Sequence, residues 1–190
     1  MRKNFFAVVF VLLFCFQSHA WIADLNADVI SEAFTTTTDQ KSSRQFVSLG
    51  LLGDLGKSES FRYYFGWGII SASAKDTNSA ASVDQTFSTL DMGPMFRMHF
   101  DNHGLYTMTV TYALFAKGSL EKSGVKETIS GTSIHLKFAV EPQVTERFFI
   151  GFAVNYYSAS YNKSTVSSTE SDVSYKFQRT FPSFSLSYRY

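Results

Sequence analysis

The residues best equipped for chemistry lie in one short segment, 133–141, in which polar and apolar residues alternate. Ser133 and His135 are two positions apart, and Glu141 follows on the same side of that alternation. A serine, a histidine and a carboxylate are the groups that a hydrolase combines into a nucleophile and its base. His99 and His135 lack a matched set of metal ligands, and the sequence contains no phosphate-binding loop or dinucleotide fingerprint. We therefore expect neither a metal ion nor a cofactor.

Charged residues and histidines fall on the polar side of the alternation in several segments, which places them on one face of successive strands. The set comprises Glu32, Arg62, Asp91, Arg97, His99, His135, Lys137, Glu141 and Arg179. Unpaired charges would be costly inside a narrow interior, so we expect ion pairs that fill it. Heights counted from the nearest turns predict that Arg97 pairs with Glu141 and Asp91 with Lys137. The alternative is a narrow polar path for water or ions.

The elements that position these residues are strands, because large apolar and small or polar residues alternate along most of the chain. The pattern predicts eight strands, near residues 28–37, 47–51, 61–70, 90–100, 106–114, 133–141, 148–157 and 182–190. The first of these alternates poorly. Three prolines, Pro94, Pro142 and Pro182, fall in or directly beside predicted strands, and we expect a bulge at each of them because proline removes a ladder donor.

The connections between these strands alternate in kind. Segments 56–60, 101–104 and 145–147 are short and turn-like, whereas 35–44, 75–84, 118–127 and 160–172 are longer and rich in Ser, Thr, Lys and Asp. Aromatic residues gather beside the short turns and the last strand, as in the interfacial girdle of a membrane barrel. They are Phe61, Tyr63, Phe100, Tyr106, Phe148, Tyr188 and Tyr190.

The N-terminal segment has the features of a secretory signal. Arg2 and Lys3 precede an apolar run, and a small-x-small motif ends at Ala20, so we predict cleavage there and a single domain over 21–190. Removal of that segment leaves no cysteine and a balance of 15 basic to 16 acidic residues. This balance gives no indication of nucleic-acid binding.

Alternation alone leaves open which face of the strands meets water. A soluble, lipocalin-like ligand carrier would turn the apolar face inward. A narrow lumen, in contrast, explains why many residues of the polar face are small: Gly66, Gly68, Gly93, Ala113, Ala139, Gly151 and Ala153. Together with the asymmetric connections, this predicts an all-β fold, an eight-stranded antiparallel up-and-down transmembrane β-barrel.

The mature chain resembles the small outer-membrane barrels of the OmpA/OmpX/OmpW type, and its last strand, which ends on Tyr190, resembles their C-terminal strand. The resemblance implies the outer membrane of a Gram-negative bacterium, both termini in the periplasm, lipids and the barrel-assembly machinery as partners, and a monomer. Some such barrels modify lipid A, but their deacylases carry His-x-Ser where this chain reads Ser-x-His. We therefore expect a non-enzymatic envelope protein whose longer loops serve structure or surface contacts, with a narrow channel as the alternative.

Overall fold

The computed structural model describes residues 21–27, 34–35, 40–58, 60–78, 83–101, 103–122 and 124–190. Within them the chain forms antiparallel strands: β1 (Trp21–Ala27), β2 (Phe34–Thr35), β3 (Gln40–Lys57), β4 (Arg62–Asn78), β5 (Val83–His99), β6 (Tyr106–Lys122), β7 (Val125–Val140), β8 (Phe148–Val166) and β9 (Thr169–Arg189). No helix in these described residues is long and apolar enough to cross a membrane.

The strands close into a ring. Each of β3 to β9 pairs with the next strand along the chain, and β1 pairs with both β9 and β3, which joins the two edges. Because β1 and β2 both pair with β3, at different heights, they occupy a single position in the wall. The fold is therefore an eight-stranded, up-and-down antiparallel β-barrel, as the sequence predicts.

The first strand does not lie where the sequence analysis put it. The prediction covered 28–37, whereas β1 begins at Trp21 and pairs with β9 up to Ala27. Residues 28–33 and 36–39 lie outside the described part of the chain. The prediction missed β1 because its alternation is short and weak, with the apolar Ile22 among the inward residues and small alanines among the outward ones, whereas β2 lies within the predicted range.

Along β4 to β9 the predicted alternation is confirmed. In β5, for example, Asp91, Met95, Arg97 and His99 are buried in the interior, whereas Leu90 is half exposed on the outside. The exposed side of the wall carries large apolar residues on the strands all around the ring, among them Leu51, Trp67, Leu90, Phe115, Phe138, Phe152 and Phe184. The interior carries most of the buried charge.

The segments predicted as long polar loops are largely strand. The prediction was wrong for 118–127 and 160–172, because β6 and β7 are separated by two residues and β8 and β9 by the pair Ser167 and Ser168. Both serines have positive φ, 46° and 73°, as a two-residue mirror-image hairpin turn requires. Strand also reaches into the other two segments. In 35–44, β3 begins at Gln40, and in 75–84, β4 ends at Asn78 and β5 begins at Val83. Polarity here reflects exposure to water and not a lack of structure.

The three prolines are accommodated in different ways. Pro94 lies in a register shift between β5 and β6, so the predicted bulge is confirmed. At the neighbouring Gly93 a Cβ would stand 2.0 Å from the carbonyl oxygen of Tyr112, which explains the glycine. Pro142 follows the end of β7, outside any strand. Pro182 pairs with Val154 in regular register. The prediction of a bulge was therefore wrong for Pro142 and Pro182.

Candidate functional site

The end of the barrel that carries segments 56–60, 101–104 and 145–147 is here called the short-turn end, and these segments are the short turns. The half of the interior next to it holds four charged side chains in mutual contact, here called the ionic cluster: Asp24, Arg97, Lys137 and Glu141. Arg97 Nη1 lies 2.9 Å from Asp24 Oδ2, and Arg97 Nη2 also pairs with Glu141. Lys137 Nζ lies 2.7 Å from Asp24 Oδ2 and 3.6 Å from Glu141 Oε1. Two cations and two anions balance the charge, and all four side chains are almost completely buried.

Hydrogen bonds complete the ionic cluster. Arg97 Nη1 also donates to Ser187 Oγ at 2.9 Å, and Arg97 Nε donates to His99 Nε2 at 3.0 Å. Lys137 Nζ donates to Ser185 Oγ at 3.0 Å, while Ser187 Oγ donates to Glu141 Oε2 at 2.8 Å. Buried charges are tolerated when their partners are both charged and hydrogen-bonded. The cluster therefore obstructs the interior with a neutral, interlocked set of side chains.

A neutral polar layer lies next to the ionic cluster. The amide Nδ2 of Asn26 donates to Asn155 Oδ1 at 2.7 Å, and Asn155 Nδ2 donates to Ser183 Oγ at 2.7 Å. His135 Nε2 lies 3.0 Å from Asn155 Oδ1. In this layer, hydrogen-bonding groups replace ions as the filling of the barrel.

Asp91 occupies a separate position. Its buried carboxylate accepts hydrogen bonds from the hydroxyls of Thr89, Ser133 and Tyr157. No salt bridge to Asp91 occurs among the described residues, so three hydroxyl donors replace the water that the carboxylate has lost. The predicted pair of Asp91 with Lys137 was therefore wrong, because Lys137 reaches Asp24 instead.

The other half of the interior is mainly apolar, with Asp91 and Arg179 as charges buried against its rings. Here the rings of Phe46, Phe87, Tyr157, Tyr161, Phe177 and Phe181 form the aromatic cluster, packed with Ile70, Leu120 and Ile129. Phe46 joins the two halves, because its ring centroid lies 4.9 Å from that of His135 and 4.7 Å from that of Phe181. The prediction of a polar lumen therefore holds for only the half next to the short turns.

Two further predicted lumen residues lie away from the ionic cluster. Arg62 is partly exposed and pairs with Asp54, 2.8 Å away, at the end of the barrel. The guanidinium of Arg179 lies over the ring of Phe181, with its Cζ 4.5 Å from the ring centroid, in the apolar half. Glu32 falls outside the described residues. The remaining six, Asp91, Arg97, His99, His135, Lys137 and Glu141, are all buried inside the barrel.

The sequence analysis missed one of the two carboxylates that contact both cations. Asp24 lies on β1, which the prediction started too late, and it contacts Arg97 and Lys137. Asn26 and Asn155, and the serines Ser183, Ser185 and Ser187, were also missed as parts of the interior network. The regular spacing of Asp24 and Asn26 against Ala23, Leu25 and Ala27 was the available signal.

The short-turn end is closed by side chains as well. Arg189 stacks on Phe149, with its Cζ 3.4 Å from the ring centroid, and donates to the carbonyl oxygens of His103 and Gly104. The ring of Tyr64 lies 4.7 Å from that of His99. Trp21 and Tyr190 meet at this end, where the backbone N–H of Tyr190 donates to Trp21 O at 2.9 Å. A path through the barrel would have to pass both this layer and the ionic cluster.

The seven residues of the predicted aromatic girdle all lie on the outside near the short-turn end. Phe61 lies 6.1 Å from Phe100 and 6.4 Å from Tyr63, measured between ring centroids. Phe148 and Tyr188 are 4.9 Å apart. Tyr106 and Tyr190 are exposed, and Arg147 contacts the last strand through a hydrogen bond to Tyr188 Oη at 3.2 Å.

The three residues that could have formed a hydrolase site are not arranged as one. Ser133 donates its hydroxyl to Asp91 and not to a histidine, while His135 contacts Asn155. Both side chains are at most 3% exposed, and Glu141 belongs to the ionic cluster. Within the described residues, no three histidine, cysteine or acidic side chains gather as a metal site would require.

Comparison with known proteins adds little to this geometry. No protein-family model matches the chain, and no curated protein is similar to it. Among solved structures, the chain is similar to the solid-state NMR structure of the outer membrane protein AlkL in DMPC lipid bilayers, with a TM-score of 0.41 and 12% identity over 90% of each chain. A likeness of this size assigns neither family nor function. The class of the protein is therefore defined by its own geometry, a closed antiparallel barrel with a filled interior.

Proposed function

We propose that the chain is a bacterial outer-membrane β-barrel protein that does not conduct, and that it serves envelope structure or surface contact. The inverted distribution of polarity carries this proposal. The charges of the ionic cluster are buried inside, whereas large apolar side chains are exposed on the outside of the strands, such as Phe152 with 68% of its surface exposed. A water-soluble monomer rarely leaves so much contiguous apolar surface in water.

The height of the apolar surface fits a bilayer. Along β5 and the residue after it, this surface runs from Leu90 to Phe100, ten residue steps, which correspond to about 33 Å along a strand. Strands tilted as in membrane barrels would make this a band roughly 25 Å tall, which is the height that outer-membrane barrels present to lipid. Beyond Leu90 the outward residue is Ser88, and beyond Ile69 on β4 it is Ser71. The polar ends of the strands would then project into water.

The ionic cluster and the aromatic cluster in the interior support the proposed absence of conduction. A continuous aqueous path would require the ionic cluster and the aromatic cluster to open together. Planar-bilayer recording of the refolded 21–190 chain tests the proposal, with a porin of known conductance as the positive control. We expect silence from the inserted protein and also from a variant that combines Arg97→Ala with Glu141→Ala, because the aromatic cluster stays closed in that variant. Discrete openings of the unmodified protein would establish the channel function instead.

We also infer that the barrel catalyses no reaction. Support comes from Ser133 and His135, which are buried and bonded to Asp91 and Asn155, respectively. Incubation with lipid A and phospholipids, followed by mass spectrometry, should leave the lipids unchanged. Loss of an acyl chain that Ser133→Ala abolishes would overturn this inference.

The proposed location has its own test. Cell fractionation should recover the protein with the outer membrane of a Gram-negative host and as a monomer. The unboiled, refolded protein should migrate differently from the boiled protein on a gel. A monomer that stays soluble without detergent would contradict the membrane assignment itself.

A further inference from the structure

The apolar half of the interior ends in an open cavity of about 310 Å³, here called the mouth cavity. It lies at the end of the barrel opposite the short turns, bounded by strands β4 to β9. Its volume is at the lower limit of what small-molecule sites offer. It also differs from the ionic cluster, whose side chains lie in mutual contact, because it leaves open space between its lining side chains.

The floor of the mouth cavity is aromatic. Phe87 and Phe177 stack with centroids 4.7 Å apart and planes inclined by 21°, and Tyr161 meets Phe87 at 5.8 Å with an edge-on geometry. Leu120 and Ile129 complete the floor. Phe87 and Tyr161 are buried and fixed by the aromatic cluster, whereas Phe177 stays partly exposed. The face of an aromatic ring carries the negative part of its quadrupole and attracts cations.

Two carboxylates belong to the wall of this cavity, Asp76 and Glu127. Glu127 is held in place through one oxygen, Oε2, which accepts from Ser164 Oγ at 2.7 Å and from Tyr175 Oη at 3.2 Å. Among the described residues, no hydrogen bond reaches its other oxygen, Oε1. Lys122 and Lys176 also line the cavity, but both side chains are exposed, so water and salt screen their charges. Of the four charged residues that line the cavity, Glu127 is therefore the one that is partly buried and anchored, and Arg179, which lies over Phe181, does not line the cavity.

We propose that the mouth cavity binds a small organic cation, an ammonium group that carries apolar substituents. The aromatic floor favours the substituents and the positive charge together, and Glu127 supplies the counter-charge. An anion would meet a carboxylate and the negative faces of the rings. A neutral apolar molecule would fit the floor but would leave the anchored Glu127 without a role. This site goes beyond the proposed function, because a sealed barrel needs no ligand at its mouth.

Binding can be tested with a pair of probes that differ in charge and hardly in shape. The refolded 21–190 chain is placed in lipid nanodiscs, free of detergent that could occupy the cavity, and titrated with choline or with 3,3-dimethylbutan-1-ol. We expect choline to shift the NMR signals of the backbone amides of Phe87, Leu120, Ile129 and Phe177 in a saturable manner. The neutral isostere should bind roughly three- to tenfold more weakly. Equal affinity for the two probes, or no saturable shifts with choline, would overturn the proposal.

Matched variants locate the charge that matters. Glu127→Gln should weaken choline binding by roughly three- to tenfold and leave the neutral isostere unaffected. Glu170→Gln removes the same charge at the same end of the barrel, but Glu170 pairs with Lys163 on the exposed surface, so we expect no change. Phe177→Leu should weaken choline binding more than that of the isostere. Equal losses for Glu127→Gln and Glu170→Gln would show an unspecific surface charge effect and would refute the site. The folded state of each variant is checked separately by its migration on unboiled gels.

Discussion

The two halves of the barrel interior are filled by opposite means. Near the short turns, Arg97, Lys137, Asp24 and Glu141 occupy the space as a neutral ionic cluster. Towards the other end, Phe46, Phe181 and the remaining aromatic cluster occupy it with rings. The difference lies in how each filling is stabilised. Ionic partners depend on one another, because each compensates the desolvation of the other, whereas packed rings contribute according to the area that they bury.

The largest expected effect is in the ionic cluster. Arg97→Ala should lower the free energy of unfolding by about 3–5 kcal/mol, because it leaves Glu141 buried without its main cation. Adding Glu141→Ala should recover part of that loss, since the stranded charge is then removed. Urea unfolding of both single variants and the double variant in lipid vesicles measures this. Strictly additive losses would show that the two residues are not coupled.

Lipid is proposed to cover the outer wall of both halves of the barrel. Phe152 lies in the middle of the apolar stretch of β8, so Phe152→Arg should cost about 2–4 kcal/mol in a bilayer. The adjacent Ala153 points inward, and Ala153→Ser is the matched control with a small effect. Folding yield in vesicles and urea unfolding report both. If the arginine variant folds as well as the serine variant, lipid does not cover this wall.

Substitutions in the aromatic cluster should lower stability without the compensation that we expect between Arg97 and Glu141. Phe46→Leu is expected to cost about 1–2 kcal/mol, because it removes ring contacts with Tyr157 and Phe181 and leaves a small void. Combining it with Phe181→Leu should not restore stability, since neither change removes the counter-ion of a buried charge, although Phe181→Leu also removes the ring on which Arg179 lies. The same urea experiment decides this. Recovery in the double variant would contradict the contrast between the two halves.

The smallest effect is expected outside both halves, in the turn after β5. Asp101 accepts backbone N–H bonds from His103, Leu105 and Tyr106. Burial acts to raise the pKa of this carboxyl, but these hydrogen bonds outweigh it and hold the pKa below its usual value. The ionised form thus contributes stability above the usual pKa of an aspartate, and the contribution is lost as the pH falls through the lowered folded-state pKa.

Asp101→Ala should therefore cost about 1 kcal/mol at neutral pH. The difference from the unmodified protein should shrink in acid, once the aspartate of the unmodified protein is protonated. Unfolding curves at neutral and acidic pH compare the two proteins. A difference that does not change with pH would show that the charge of Asp101 has no part in holding the turn.

Much of this fold was predictable because the alternation of apolar and polar residues along a strand can be recognised without knowing which strand it pairs with. The inward and outward faces of β4 to β9, the short turns and the ring order all follow from it. The pair of Arg97 and Glu141 was predictable as well, because both stand at similar heights above the short turns. The pairing of Lys137 with Asp24 in place of Asp91 was not predictable, because Asp24 lies 113 positions away in sequence.

The sequence by itself determined that each strand has an apolar face and a polar face, since the polarity of each residue is known without its neighbours in space. Only the tertiary structure decided which inward residues meet. Ring closure brings β1 between β9 and β3, and so places Asp24 against both cations. The extent of the strands was also decided at this level. Polar residues such as Ser164 and Ser171 pair across strands beyond the apolar band. The aromatic cluster forms because inward rings that are distant in sequence converge beyond the ionic cluster.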